Sequence, residues 1–343
     1  MARPTIRDVA RRAGVSTATV SYVINRSVPV SEDTRSRVER AIRELSYRPS
    51  GLARGLAGQR IRILGVAALG FNDLALSDSF FAEVIKGIGE ATYRLGYSFM
   101  LASPSLEEEA GRSSIGIFFD KGVEGLILLN GREDEPELSE LSREGIPVLS
   151  IGRCAGDWPY VDTDNAHGAY EAVKHLIGLG HKKIAHLAGK PGLTSTADRL
   201  AGYRRALTEA GLRAEKAWEA GGNSTKESGF QAMHRLLTQK ELPTAVFAFN
   251  DAMAIGAIKA IRQKGLKVPE DLAVVGYGDD PVASYVDPPL TTIRQPMFEM
   301  GVLAAEKLVA LTEGGKPGGE TAKILLKPKL VIRESCGSSL WLN

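Results

Sequence analysis

Two apolar periodicities divide the chain. Over residues 1–48 the apolar positions recur at helical spacing: Ile6, Val9, Ala10 and Ala13 form one stripe, Val20, Val23 and Ile24 a second, and Val38, Ala41, Ile42 and Leu45 a third. Thr5 stands before the first stripe as an N-cap, with Asp8 three residues on, and Gly14 is a natural stop. Ser16 and Ser31 are placed to cap the second and third helices. The turn between the first two helices is so short that the pair reads as a helix-turn-helix. From residue 61 onward the pattern changes to short apolar runs alternating with amphipathic stretches. "RILGVAAL", "SFMLAS", "GLILL" and "PVLSI" come first, then "KIAHLAG", "AVFAF" and "LAVVGY". Such alternation predicts β-α-β units and parallel sheets. The length fits two lobes dividing near Asp162, with a return segment after "PPLTTI".

Charge separates the same two regions. The chain of 343 residues carries a net charge of +2, yet residues 1–60 hold 12 arginines and no lysine against 5 acids. A basic end on a mildly acidic body implies a polyanion partner for that end alone. A solvated basic tail would explain the charge but not the apolar periodicity. Cys154 and Cys336 match no metal spacing and read as reduced thiols. The charged start and the absence of a long apolar run predict a cytoplasmic protein with no membrane partner.

The outer face of the second helix, within "GVSTATVSYVIN", is uncharged, small and rich in hydrogen-bonding groups. Such a face suits the floor of a DNA major groove. The outer arginines of the third helix, Arg35, Arg37, Arg40 and Arg43, are available to phosphates, with water the favoured partner for any one of them. Residues 49–60 follow Pro49 with a mini-helix carrying Leu52, Ala53, Leu56 and Ala57 on one side. A helix this short is marginal alone in water and orders against a partner.

The stretch "TIRDVARRAGVSTATVSYVINRSVPVSEDTRSRVERAIRELSYRPSGLARGLAG" resembles the headpiece and hinge of the LacI/GalR family of bacterial transcription regulators. The likeness runs through most of the remaining chain. It implies an α/β fold: an all-α helix-turn-helix headpiece (1–48), a hinge helix and linker (49–60), and a two-lobed periplasmic-binding-protein-like body (61–343) with parallel sheets. The first lobe is expected over about 61–161 plus 293–322, and the second over about 162–290 plus 323–343. The resemblance assigns base reading to Thr17, Ala18 and Tyr22, and places Thr5, Ser16, Ser21 and Asn25 at the DNA as well. It makes Leu56 a wedge in the minor groove, with Leu52, Ala53 and Ala57 beside it. It further implies a homodimer on a pseudo-palindromic double-stranded operator, without a cofactor and with a small effector in the cleft between lobes.

Candidate effector residues follow from the same resemblance: Phe80, Arg153, Arg199, Ser224, Asn250 and Asp279. For Asn250, at a strand end and helix start, N-capping is an equal alternative. Three positions depart from the family pattern. Gly152 and Gly278 stand where aspartates are common, and Ser224 where an aromatic residue is. Two carboxylates and one aromatic face are thereby lost while arginines remain, which suits a sugar acid or sugar phosphate. A neutral sugar held by other residues, or no small effector, are the alternatives.

No catalytic constellation emerges. "LAGKPGLTST" lacks the spacing of a phosphate-binding loop, and the five histidines form no clustered ligand pattern. The rival to a regulator is a sugar receptor, which residues 61–343 alone would fit. The helix-turn-helix in front and the lack of an export signal argue against it. No leucine heptads are found near the end, which favours a dimer over a tetramer.

Overall fold

The computed structural model describes residues 4–25, 28–47, 60–68, 79–102, 115–129, 141, 143, 145–154, 158–315 and 323–338, with Asn25 entering through its backbone. The expected hinge contacts Leu52, Ala53, Leu56 and Ala57 lie outside the described residues. The chain divides into two compact units, Met1–Ile61 and Arg62–Asn343.

In the first unit, helices α1 (Ile6–Ala13), α2 (Thr17–Asn25) and α3 (Glu32–Glu44) enclose a small core. Val9, Val20 and Val38 are fully buried there, with Tyr47 closing one end. The ends form as the sequence predicts. Thr5 and Asp8 make a reciprocal capping box, and Gly14 adopts a left-handed φ of 65° that a residue with a Cβ would resist. The Ser16 hydroxyl accepts from the Thr19 amide at 3.0 Å, and that of Ser31 from the Thr34 amide at 3.3 Å. Arg12 Nε donates to Glu44 at 2.8 Å, fastening α1 to α3.

The second unit contains two sheets. The first is built from β1 (Ile63–Ala68), β2 (Ser98–Ala102), β3 (Gly125–Leu129), β4 (Val148–Ile151), β5 (Tyr160–Thr163) and β11 (Lys323–Leu326), ordered β11-β5-β4-β3-β1-β2 and wholly parallel. The second holds β6 (Ile184–Ala188), β7 (Glu219–Gly221), β8 (Ala245–Ala248), β9 (Ala273–Gly278), β10 (Thr291–Arg294) and β12 (Lys329–Val331), ordered β12-β10-β9-β8-β6-β7. Only β12 runs antiparallel, against β10. Continuous apolar runs such as Gly125–Leu129 are buried along their whole length because helices cover both faces of each sheet.

On the first sheet lie α4 (Ser79–Arg94), α5 (Gly116–Asp120) and α10 (Met297–Thr312), and on the second α6 (Asn165–Gly178), α7 (Thr194–Glu209), α8 (Lys226–Leu236) and α9 (Asp251–Gln263). Helices α4 and α10 meet through a reciprocal glycine pair. A Cβ on Gly87 would come within 2.1 Å of the Phe298 carbonyl oxygen, and one on Gly301 within 2.1 Å of that of Val84.

The chain crosses between the lobes after Thr163, after Arg294 and after Leu326. The last crossing differs from expectation. The sequence pattern puts residues 323–326 in the second lobe, but they pair with β5 of the first, Ile324 opposite Val161. Their weakly apolar run carries no local sign of which sheet edge it completes. The Asp164 amide donates to the Leu326 carbonyl at 2.9 Å, tying the first and third crossings together.

Candidate functional site

The exposed face of α2 is the candidate DNA surface. Ser16, Thr17, Ala18 and Tyr22 are exposed, Tyr22 by 40% despite its size, while Ser21 is half-buried. Thr5 is exposed, with its hydroxyl donating to Asp8 at 2.7 Å. The inward positions are filled by Val20, Val23 and Ile24. Polar side chains are thus left outward by the packing itself.

In the body, the carboxyl ends of strands from both sheets converge on one cleft, next to where each strand order reverses, at β1/β3 and β6/β8. This is where ligands bind in open α/β sheets. A cavity of about 70 Å³ there is lined by Phe80, Asp162, Asn165, Arg199, Ser224, Phe249, Asn250, Tyr277, Asp280 and Gln295 among others. Four of the six expected effector residues therefore share it: Phe80, Arg199, Ser224 and Asn250.

Arg199, one turn into α7, is the centre of the site. It is 5% exposed. Its Nε donates to Asn165 Oδ1 at 2.9 Å and its terminal nitrogens to the Phe249 carbonyl at 2.6 Å and to Gln295 Oε1 at 3.2 Å. Burial lowers its pKa, opposed by the charges of Tyr277, Asp162 and Asp251. Asn250 caps α9, accepting from the Met253 amide at 2.9 Å, and donates to the Ser224 carbonyl at 2.9 Å. Its capping role is therefore realised at the cavity wall. Phe80 packs edge-on against the buried Phe81, their centroids 5.5 Å apart.

Two expected residues lie elsewhere. Arg153 turns to Asp198 of α7 and lines an adjoining cavity of about 550 Å³. Asp279 is not in the cleft wall. Its carboxylate is held by Arg294 at 2.5 Å and Arg333 at 2.6 Å, because φ values of 141° at Gly278 and 60° at Asp279 turn the chain so that Asp280 faces the cavity instead. The Asp280 carboxylate accepts from the Ser79 hydroxyl of the opposite lobe.

Sequence reasoning missed Asp162, Asn165, Tyr277 and Gln295, and of the two acids after Gly278 it chose Asp279 over Asp280. Burial lifts the Asp162 carboxyl to about 6, against the Thr163 amide and the charges of Arg153 and Arg199. Asp251, fully buried behind the wall, is lifted to about 7 by burial and by Asp280. It accepts from Thr292 Oγ1 at 2.5 Å and the Asp280 amide at 2.7 Å. Among the described residues no group of His, Cys, Asp and Glu is placed to hold a metal ion, and no helix is long and apolar enough to cross a membrane.

Residues 5–50 match the family model of bacterial regulatory proteins, lacI family, and residues 173–336 match a periplasmic binding protein-like domain. The HTH-type transcriptional repressor PurR of Haemophilus influenzae (strain PittEE) is 38% identical over 98% of this chain and 99% of its own. The HTH-type transcriptional regulator CelR of Thermobifida fusca is 37% identical over 97% and 98%. Among solved structures, a CelR–cellobiose complex matches at 36% identity and a TM-score of 0.75, covering 97% of this chain and 100% of that one. A lac repressor dimer bound to operator and the anti-inducer ONPF matches at 33% identity and a TM-score of 0.85, covering 98% and 99%.

Proposed function

The chain belongs to the LacI family of DNA-binding transcription regulators, and on that premise we propose that it acts as a homodimeric repressor whose operator affinity is set by a neutral carbohydrate in the inter-lobe cleft. Its relatives are regulators, not enzymes. In this reading two headpieces occupy adjacent half-sites of a pseudo-palindrome, Thr17, Ala18 and Tyr22 read base edges, and the hinge segments meet in the central minor groove. The effector changes the relation between the lobes and thereby the pairing of the hinges.

One observation carries the effector class. The arginine that suggested an anionic ligand is already engaged by Asn165, Phe249 and Gln295, and two carboxylates, Asp162 and Asp280, line the same cavity. Among the described residues the wall offers aromatic faces, amides and acids and no cation besides the engaged Arg199, a composition suited to uncharged hydroxyls. The cellobiose bound by the CelR structure belongs to the same class.

The test measures operator binding by fluorescence anisotropy and melting temperature of the full chain with neutral sugars, sugar acids and sugar phosphates. A ligand of the folded state raises the melting temperature by mass action. Stabilisation by a neutral sugar that also changes operator affinity supports the reading. Stabilisation by anions alone returns the assignment to the arginines.

A further inference from the structure

Among the described residues of the headpiece, two large apolar side chains are exposed, Tyr22 of α2 by 40% and Val28 by 43%. Both line one groove of about 250 Å³, which Val23, Pro29, Val30 and Arg35 complete. Neither belongs to the core around Val9, Val20 and Val38. Val28 precedes Pro29, and a proline restricts the residue before it to extended backbone, so the direction of this valine is largely set before any partner arrives. Arg35 pairs with Glu32 at 3.3 Å, one helical turn away. Both of these side chains are exposed, and an exposed pair is worth so little that a phosphate can take the place of the glutamate.

What fits this groove follows from the surface it continues. Tyr22 belongs both to the groove and to the outer face of α2, the candidate DNA surface, so Val28 meets the same stretch of DNA. Valine carries no side-chain donor or acceptor. In the major groove guanine, adenine and cytosine are read through polar groups, which against valine would lose water and gain no partner. Thymine alone adds an apolar group there, its C5 methyl. Seating that methyl against Val28 and the Tyr22 ring removes apolar surface from water on both sides.

We infer that Val28 is a specificity-determining residue: with Tyr22 it forms a seat for the C5 methyl of one thymine in each operator half-site, next to the base pair that Tyr22 contacts. The inference rests on the headpiece reading above. It adds to that reading a base contact from outside the recognition helix.

Selection from a randomised operator with the full chain, followed by replacement of each selected thymine by uracil, tests it. Uracil keeps every hydrogen-bonding group of thymine and lacks only the methyl. At one thymine per half-site the replacement should weaken binding about fourfold, the worth of one buried methyl group. Val28→Ser should abolish this sensitivity at that position alone, and Val28→Ile should retain it. Both variants should melt like the parent, because the side chain lies outside the core. Sensitivity that persists in Val28→Ser, its absence at every thymine, or a selected sequence without thymine overturns the inference. So does an equal loss of affinity for all sequences in Val28→Ser, which would set the groove against the sugar-phosphate backbone. In each of these cases a selected sequence that shifts in Tyr22→Ala shows that the headpiece reading stands. If the parent selects no sequence, the headpiece reading falls and the inference with it.

Discussion

The guanidinium carbon of Arg199 lies 3.6 Å from the centroid of the Tyr277 ring. Phe249 presents a second ring, 4.4 Å from the same carbon. Aromatic faces and three acceptors together compensate a cation removed from water. A lysine has neither the fork nor the plane to reproduce this. Arg199→Lys should therefore destabilise the body by about 1–3 kcal/mol, the cost of leaving buried acceptors unpaired. Urea unfolding reads the loss. Effector-free operator binding, which the separate headpiece carries, should survive; loss of both together would show that Arg199 supports more than the body.

The raised carboxyl of Asp251 gives stability a definite pH dependence. With its folded pKa near 7, the folded chain keeps a proton that the unfolded chain releases near pH 4. Stability is then greatest below the unfolded value and falls as pH rises through this window. Between pH 5 and pH 8 the melting temperature should drop more in the parent than in Asp251→Asn, by about 2 °C or more. Parallel profiles would contradict the assignment.

At the α4–α10 contact, Gly87→Ala and Gly301→Ala each force a methyl group against a carbonyl of the facing helix. Overpacking of this kind costs about 1–3 kcal/mol. Because either methyl moves the same two helices apart, the double variant should cost less than the sum of the singles. Strict additivity in guanidinium unfolding would mean that the helices do not move as a unit.

Tyr22 is 40% exposed and lies outside the buried core of the headpiece. Tyr22→Ala should leave the melting of the headpiece nearly unchanged but alter which operator bases are selected, with about 1–3 kcal/mol of discrimination at stake at a direct contact. Selection from a randomised operator reads this, and an unaltered consensus would remove Tyr22 from base recognition.

What could be read from the chain followed what is local. Capping at Thr5, Ser16 and Ser31, the stop at Gly14 and the inward stripe of α2 depend on neighbours within four residues, and the structure reproduces them. The parallel strands were legible because helices on both faces demand unbroken apolar runs. Arg199 was found by resemblance, but its saturation by Asn165, Phe249 and Gln295 could not be, since these partners lie 34, 50 and 96 residues away. Asp162 looked like a boundary marker because an isolated acid in a strand carries no sign of burial. For Asp279 and Asp280 the choice rested on two dihedral angles, and adjacent identical residues give no hint of which faces the ligand. The segment 323–326 had the same difficulty at the level of a whole strand.

Between Leu326, the last residue of β11, and Lys329, the first of β12, stand only Lys327 and Pro328. Three Cα steps reach at most about 11 Å even when fully extended. The two lobes are therefore leashed, and a ligand cannot draw them apart along the line joining them. The remaining freedom is a swing about this short tether. Movement at the far rim then grows with distance from the tether, so a small closure of the cleft is geared up where the lobes are farthest from it.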